Sequence, residues 1–522
     1  MTLIKKANIS YIIILLFFSF FFNQIFGNLG LNPIDSFFSF NTGYDILNGH
    51  FPFKDYWTIT GPFIGFVQAF FYKLFGVSWS VYVLHASVIN CILTLFIFFT
   101  LRKFDLNLHY SFLYSFLISI LAYPSIGTPY VDHHAAYLSL IALLCFILAI
   151  KTNLKIYWFI LPIVLGISFL TKQTPTGYAF IIIVALSSIY FIFNYNFKKF
   201  LFGCLGCFVI LSIFFITLLI TKITFQSFFE QYILFPLSLG GSRMEFLFPL
   251  EFSRVIMRFK LIHLSSIILI IIILKNIIDS YKYLISKEFL ILISLITFYI
   301  SLIIHQLMTI NGLFIYFVIP LLAAFSHIYY LKYFKKKKYI LYFLLILSAG
   351  STMHYTNKYI LSRDFSDLSK VNISSAIDAK ILHNKLSGLK WITYLYSENP
   401  NKEILYLKEA IEIIDKNKKN KAIITDYQFI SVILSTYDNS PSQVWFPYHV
   451  NPNKDSKYYK IHKEYFLSKM KENKVEVVYV VKPLWGGNDI FQINLNKNCY
   501  EINKITEILD VYILKNCEDL KT

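Results

Sequence analysis

The chain is built around long apolar stretches that carry almost no charge. Crossing a bilayer takes roughly 17–25 such residues, because in lipid every backbone N–H and C=O must be satisfied inside the protein. Spans are predicted near 8–27, 79–101, 109–124, 134–151, 156–172, 175–196, 200–221, 263–280, 286–304, 310–330 and 339–353. The stretch 63–76 is shorter, contains Gln68 and Lys73, and reads as an interfacial helix. Only 15% of the 522 residues are charged and 56% are hydrophobic. A soluble chain is about one quarter charged, so an ordinary soluble enzyme is excluded. The expectation is a mainly α, polytopic helical membrane bundle of about eleven spans.

The formal charge of +18 suggests nucleic acid until its distribution is read. Through residue 352 there are 24 basic and 10 acidic residues; the last 170 hold 24 and 20. The loops of one side carry 16 basic residues, including Lys5, Lys6, Arg102, Lys103, Lys151, Lys287, Lys332 and the run from 335 to 338, against Asp105, Asp279 and Glu288. The other side carries eight basic and seven acidic residues. Basic loops stay in the cytoplasm, which puts the N-terminus inside and, after eleven spans, the tail outside. The basic excess is therefore a topology signal, and nucleic acid is not an expected partner. The first span lacks a small-residue cleavage site and reads as a retained anchor. The expected units are a membrane part, 1–353, with outer loops 28–78 and 222–262, and an extracytoplasmic α/β domain, 354–522.

Ionisable groups at membrane depth are costly and tend to face a cavity or one another. Asp35 follows the first span, Asp132 opens the fourth, and Lys172 ends the fifth. The topology puts all three on one level at the outer face. Two acids and a lysine there can bind a phosphate and activate a hydroxyl; the plainer alternative is that each marks a membrane boundary.

The order and sidedness of three motifs carry a resemblance. Asp35, Tyr44-x-x-Leu47-x-Gly49-x-x-Pro52-Phe53-x-Asp55, Gly61-Pro62 and Phe75-Gly76 form the first. Gly166-x-x-x-Leu170-Thr171-Lys172 is the second, and Asp132 at the head of the fourth span is the third. Together they resemble the GT-C glycosyltransferases, among them the dolichyl-phosphate-mannose protein mannosyltransferases and the bacterial aminoarabinose transferases of lipid A. The layout matches over roughly residues 10–350. Many relatives carry Asp-Glu where this chain has Asp35-Ser36, and a Lys-Pro-Pro-like stretch in place of Thr60-Gly61-Pro62. Those departures bear on the substrate more than on the fold.

The resemblance implies an inverting transfer of a hexosyl or pentosyl group from a polyprenyl-phosphate donor to an extracytoplasmic glycan, lipid or protein. It implies a multi-pass protein of a bacterial inner membrane. Asp35 would be the general base, with Asp132 beside it as a second catalytic acid that orients the acceptor. Lys172 would offset the departing phosphate, helped by Arg243, Arg254 or Arg258, among which the sequence does not choose. Tyr44, Asp55, Tyr56, Trp57, His133 and His305 are candidates for substrate contact, although aromatic girdles and a boundary histidine explain them comparably well. Mg²⁺ or Mn²⁺ on Asp35, Asp132 and His133 is left open. Asp132, His133 and His134 cannot all serve one ion from a helix, since consecutive side chains diverge by about 100°.

Cys204-x-x-Cys207 lies in an apolar span and reads as packing, while Cys499 and Cys517 sit in the outer tail, where a disulfide is permitted. In the tail, helical 402–416 and 460–473 alternate with strand-like 422–426 and 475–481, as in an α/β unit. The loop 483–487 reads as a turn that could touch a ligand. Two other function classes remain: an O-antigen ligase or polymerase, and a lipid or saccharide transporter. The latter class favours internal repeats and midspan charges.

Overall fold

A computed structural model describes residues 2–310, 312–334, 338–445, 449–487, 492, 494–495 and 497–515. Residues 335–337 of the basic run and Cys517 lie outside the described residues. Each predicted span coincides with a helix. These are α1 (Thr2–Gly27), α4 (Trp79–Lys103), α5 (Leu108–Leu121), α6 (Val131–Thr152), α7 (Lys155–Phe169), α8 (Gln173–Phe193), α9 (Phe197–Thr221), α10 (Lys260–Asp279), α11 (Lys287–Met308), α12 (Val318–Phe334) and α13 (Lys338–Tyr355). Among the described residues seven are long and apolar enough to cross a membrane: α1, α4, α6, α8, α9, α10 and α11. The other four are 14 to 18 residues long. At a rise of 1.5 Å per residue, 14 residues reach about 21 Å, less than the ~30 Å hydrocarbon core.

Burial sorts the helices. Nearly all of α6 is enclosed by protein, whereas α1 and α9 expose Phe17, Phe208, Leu219 and Ile220, the faces expected against lipid. Cys204 and Cys207 are free and lie on the exposed side of α9, so the sequence reading of packing does not hold. The predicted span 310–330 begins only at Val318. Before it the chain turns back over the helix ends, with Leu313 N–H donating to Gln306 Oε1 and Phe314 N–H to His133 Nε2.

The loop 28–78 is more ordered than its composition suggests. It contains α2 (Pro33–Leu47) and the expected interfacial helix α3 (Phe63–Phe75). Pro33 occupies the first turn of α2, where its missing N–H costs nothing. Between α3 and the preceding strap, Gly61 N–H donates to Thr171 O and Phe63 N–H to Leu170 O, both at 3.1 Å. A Cβ on Gly61 would stand 2.0 Å from Leu170 O, so only glycine lets the strap seat on the α7–α8 turn.

The tail is an α/β unit. A four-stranded sheet runs in the order β3-β4-β6-β5, from β3 (Lys421–Thr425), β4 (Val477–Val481), β5 (Tyr500–Lys504) and β6 (Leu509–Leu514). The β3–β4 pair is parallel and the others antiparallel. A separate two-stranded pair joins β1 (Ile377–Asp378) to β2 (Lys390–Trp391). Alternation along β4 splits the core. Val478 and Val480 face Phe466 and Met470 of α16 (Tyr459–Glu472). Val477, Tyr479 and Val481 face Leu407 and Ile414 of α14 (Pro400–Lys416), together with Phe429 of α15 (Phe429–Leu434). That second cluster continues into Phe37, Phe40 and Trp79, so the tail and the first long loop share one apolar core. Arg363 reinforces the junction: its buried guanidinium donates to Leu29 O and Ile126 O, each at 2.9 Å. Cys499 is engaged in a disulfide.

Candidate functional site

A cavity of about 550 Å³ opens where the tail meets one set of helix ends. Several parts of the membrane region converge on it, the 240–246 segment bringing Arg243. The first turn of α2 brings Asp35, the first turn of α6 brings Asp132, and the α7–α8 turn brings Lys172. The C-terminal end of α11 adds Met308 and Thr309. The tail closes the cavity with Asp367, Val444, His449, Val450 and Trp485.

The charges are arranged unequally. Asp132 is almost fully buried; its Oδ2 accepts from Lys172 Nζ at 2.5 Å and its Oδ1 lies 3.2 Å from His305 Nε2. A buried carboxylate needs such partners, since the effective desolvation cost is several kcal/mol per ion. The ammonium has three donors, so this pairing fixes Lys172 and leaves others for the cavity. Asp35 has no cation in bonding contact among the described residues. Burial, then Asp367, then Asp132 push its carboxyl up to about 7, and Lys172 opposes the shift. Asp367 is itself raised by burial, offset in part by Asn32, whose Nδ2 donates to its Oδ2 at 2.8 Å. Asn32 is the N-cap residue of α2 but spends its side chain on the tail rather than on the helix. An acid with its pKa near neutrality thus faces a lysine and an arginine across one cavity.

Several sequence expectations are corrected by this geometry. Of the three arginines, Arg243 lines the cavity; Arg254 donates to Phe246 O, and Arg258 lies over the Phe259 ring at 5.7 Å. Tyr44, Asp55, Tyr56 and Trp57 do not line it either. Tyr44 belongs to the core shared with the tail. Asp55 accepts from Phe51 N–H at 2.6 Å, and Tyr56 is buried. Trp57 donates through Nε1 to Val450 O at 2.9 Å and packs on His462 and Tyr465. Asp55 thus holds its own loop together, and Trp57 fastens that loop to the tail. His305 acts behind Asp132 instead of lining the cavity. His133 Nε2 accepts from Phe314 N–H at 3.3 Å, and its ring packs on Phe365. Asp35, Asp132 and His133 therefore do not fit Mg²⁺ or Mn²⁺ as a ligand set: among the described residues no three His, Cys, Asp or Glu side chains converge.

Sequence reasoning missed Asp367, Asn32, Tyr130 and His449. Asp367 lies 332 positions after Asp35, in a segment whose composition looks like ordinary tail. Its one available signal is position: it comes a dozen residues after the C-terminal end of α13.

No protein-family model matches the chain, and no curated protein matches it in sequence. Among solved structures it is similar to the archaeal oligosaccharyltransferase AglB from Archaeoglobus fulgidus, in complex with an inhibitory peptide and a dolichol-phosphate. The identity is 14% and the TM-score 0.43, over 91% of this chain and 69% of that one. An Archaeoglobus fulgidus oligosaccharyltransferase tethered with an acceptor peptide containing the NVT sequon is similar at 15% identity and a TM-score of 0.40, over 91% and 69%. The Archaeoglobus fulgidus oligosaccharyltransferase in complex with Zn and sulfate is similar at 15% identity and a TM-score of 0.45, over 90% and 67%.

Proposed function

We propose that the protein is a membrane glycosyltransferase that moves a sugar from a polyprenyl-phosphate donor to an extracytoplasmic hydroxyl acceptor, with inversion. The single observation that carries this reading is Asp35, a near-neutral carboxyl, facing Lys172 and Arg243 across one cavity at the helix ends. The acceptor oxygen bonds to the anomeric carbon while the bond from that carbon to the phosphate oxygen breaks. The bonding pair leaves with the phosphate, and the acceptor proton passes to the Asp35 carboxylate. A general base works best with its pKa near the working pH. Lys172 and Arg243 offset the charge on the leaving phosphate, the electrostatic kind of stabilisation that usually dominates. Arg243 can pair with it bidentately. Asp132 and His305 act as positioning residues for Lys172.

Sidedness supports the same reading. Every cavity group comes from the loops expected outside. Lys151 pairs with Asp105, and Lys332 with Glu288, at the opposite helix ends. We therefore assign the N-terminus to the cytoplasm, 354–522 to the outside, and the whole to a bacterial inner membrane. A cavity at the outer helix ends, roofed by the tail, suits transfer at the outer leaflet better than transport through the bundle.

The test is sugar release from synthetic polyprenyl-phosphate sugars by the purified protein in lipid, native against Asp35→Asn. Loss of the base should lower turnover by about 10²–10⁴. Full turnover in the variant would remove Asp35 from its role, and no reaction with any such donor would overturn the reading.

A further inference from the structure

At the ends of α6 and α11 far from Asp35 lies another cavity, of about 510 Å³. Both helices are 22 residues long, so each spans about 33 Å, close to the ~30 Å hydrocarbon core. One end of each serves the Asp35 cavity, through Asp132 and Met308; the other end serves this one, through Lys151 and Lys287. The cavity therefore sits at the opposite membrane boundary, at the level of phospholipid headgroups. Lys332, in the last turn of α12, brings a third ammonium, and the acids of the lining are Asp105 and Glu288. Three cations against two acids leave one positive charge. Glu288 is taken by Lys332 and by the Tyr333 hydroxyl. Lys151 meets Asp105 at 3.4 Å, but that carboxylate is 87% exposed, and an exposed pair of this kind contributes little. Lys287 forms no ion pair among the described residues. It is also the first residue of α11, where the helix dipole adds to its charge instead of offsetting it.

We propose that this cavity binds an anionic phospholipid, with its phosphate between Lys151 and Lys287 and an acyl chain against the apolar wall. That wall is built by Phe104, Ile150, Ile291, Ile328 and Leu331. Leu331 is exposed, which carries the wall onto the outside of the bundle. Charge and wall together select the ligand. A soluble phosphate would meet the lysines and leave the wall in water. A zwitterionic lipid would cover the wall and bring a cation of its own to the lysines. An anionic lipid satisfies both parts, and basic pockets between membrane helices hold such headgroups in this way. The cavity joins the α4–α5 turn to α6, α11 and α12. Two of those helices carry Asp132 and His305 toward their other ends. A lipid seated there holds the helix ends together and stabilises the folded chain, because the unfolded chain offers no such cavity.

This site rests on the chain spanning a bilayer and not on the transferase reading, so its test uses no sugar donor. The full chain in detergent is titrated with phosphatidylglycerol, phosphatidylcholine and soluble glycerol phosphate, and bound molecules are counted by native mass spectrometry. Phosphatidylglycerol is expected to bind about tenfold or more tightly than phosphatidylcholine, and glycerol phosphate far more weakly than either. Lys287→Gln should weaken phosphatidylglycerol about fivefold, and the double variant Lys151→Gln, Lys287→Gln about thirtyfold, with phosphatidylcholine unchanged. Lys103→Gln removes a cation from the same set of helix ends but outside the cavity, and should leave the affinity nearly unchanged. Lys151 and Lys287 are exposed, so these variants should fold, which thermal unfolding without lipid checks. Added phosphatidylglycerol should raise the native midpoint and not that of the double variant. Equal affinity for the two lipids, equal losses in Lys103→Gln and Lys287→Gln, or glycerol phosphate binding as tightly as lipid would each overturn the proposal.

Discussion

Replacing Asp367 with Asn should move the acidic limb of the pH–rate profile downward. Asp35 is held up to about 7, with Asp367 the second cause after burial. If Asp35 must be ionised to act, about 9% of the enzyme is competent at pH 6 and about 91% at pH 8. Asn at 367 removes a negative charge from the same cavity while its side chain can still pair with Asn32. A shift of one pKa unit corresponds to about 1.4 kcal/mol of charge interaction. A fall of one unit would raise the ionised fraction at pH 6 to about one half, a roughly fivefold gain in rate. The ceiling is about elevenfold, reached if the limb leaves the range altogether. At pH 8 the rate should barely change. The assay is the initial rate of release from a polyprenyl-phosphate sugar between pH 5 and 9, with both substrates saturating. An unmoved limb, or one displaced upward, would refute the coupling of Asp367 to the base.

Lys172→Met should destabilise the protein by about 3–5 kcal/mol, because it strips a buried carboxylate of its cation. Adding Asp132→Asn should recover part of that loss, as thermal unfolding in nanodiscs would register; strictly additive losses would mean that the two groups do not act as a pair. Arg243→Gln should raise the KM for donor severalfold, whereas Arg254→Gln should leave it nearly unchanged, since only Arg243 lines the cavity. Equal effects in donor titrations would remove the distinction. Arg363→Ala should cost about 2–6 kcal/mol by leaving the Leu29 and Ile126 carbonyls without a donor. Limited proteolysis should then release the tail at lower temperature; unchanged resistance would show that the guanidinium does not fasten it.

The candidate site was legible in part. Asp35, Asp132 and Lys172 line one cavity, each from the end of a helix or the turn between two. Tyr44, Asp55, Tyr56 and Trp57 were misread for a physical reason. Polar and aromatic side chains that fasten a loop under a domain have the same composition as those that line a pocket. Asp55 spends its carboxylate on Phe51 N–H and Trp57 its indole N–H on Val450 O. His133 likewise spends Nε2 on Phe314 N–H. The glycine of Thr60-Gly61-Pro62 does have an explanation, in its contact with Leu170 O, but that contact crosses more than a hundred residues.

By itself, the sequence determined that this chain is a bundle of apolar helices, where those helices lie, and that a mixed α/β unit follows them. Those properties are local: hydrophobic length sets a span, and alternation of strand and helix marks the tail. The tertiary structure alone decided which charges meet. It chose Arg243 over Arg254 and Arg258, brought Asp367 to Asp35, and tied Asp132 to Lys172 and His305. A hydropathy pattern fixes depth in the membrane and leaves rotation and lateral position free. Those were settled by packing: α6, α8 and α11 share one buried core, and the loop 28–78 shares a second with the tail.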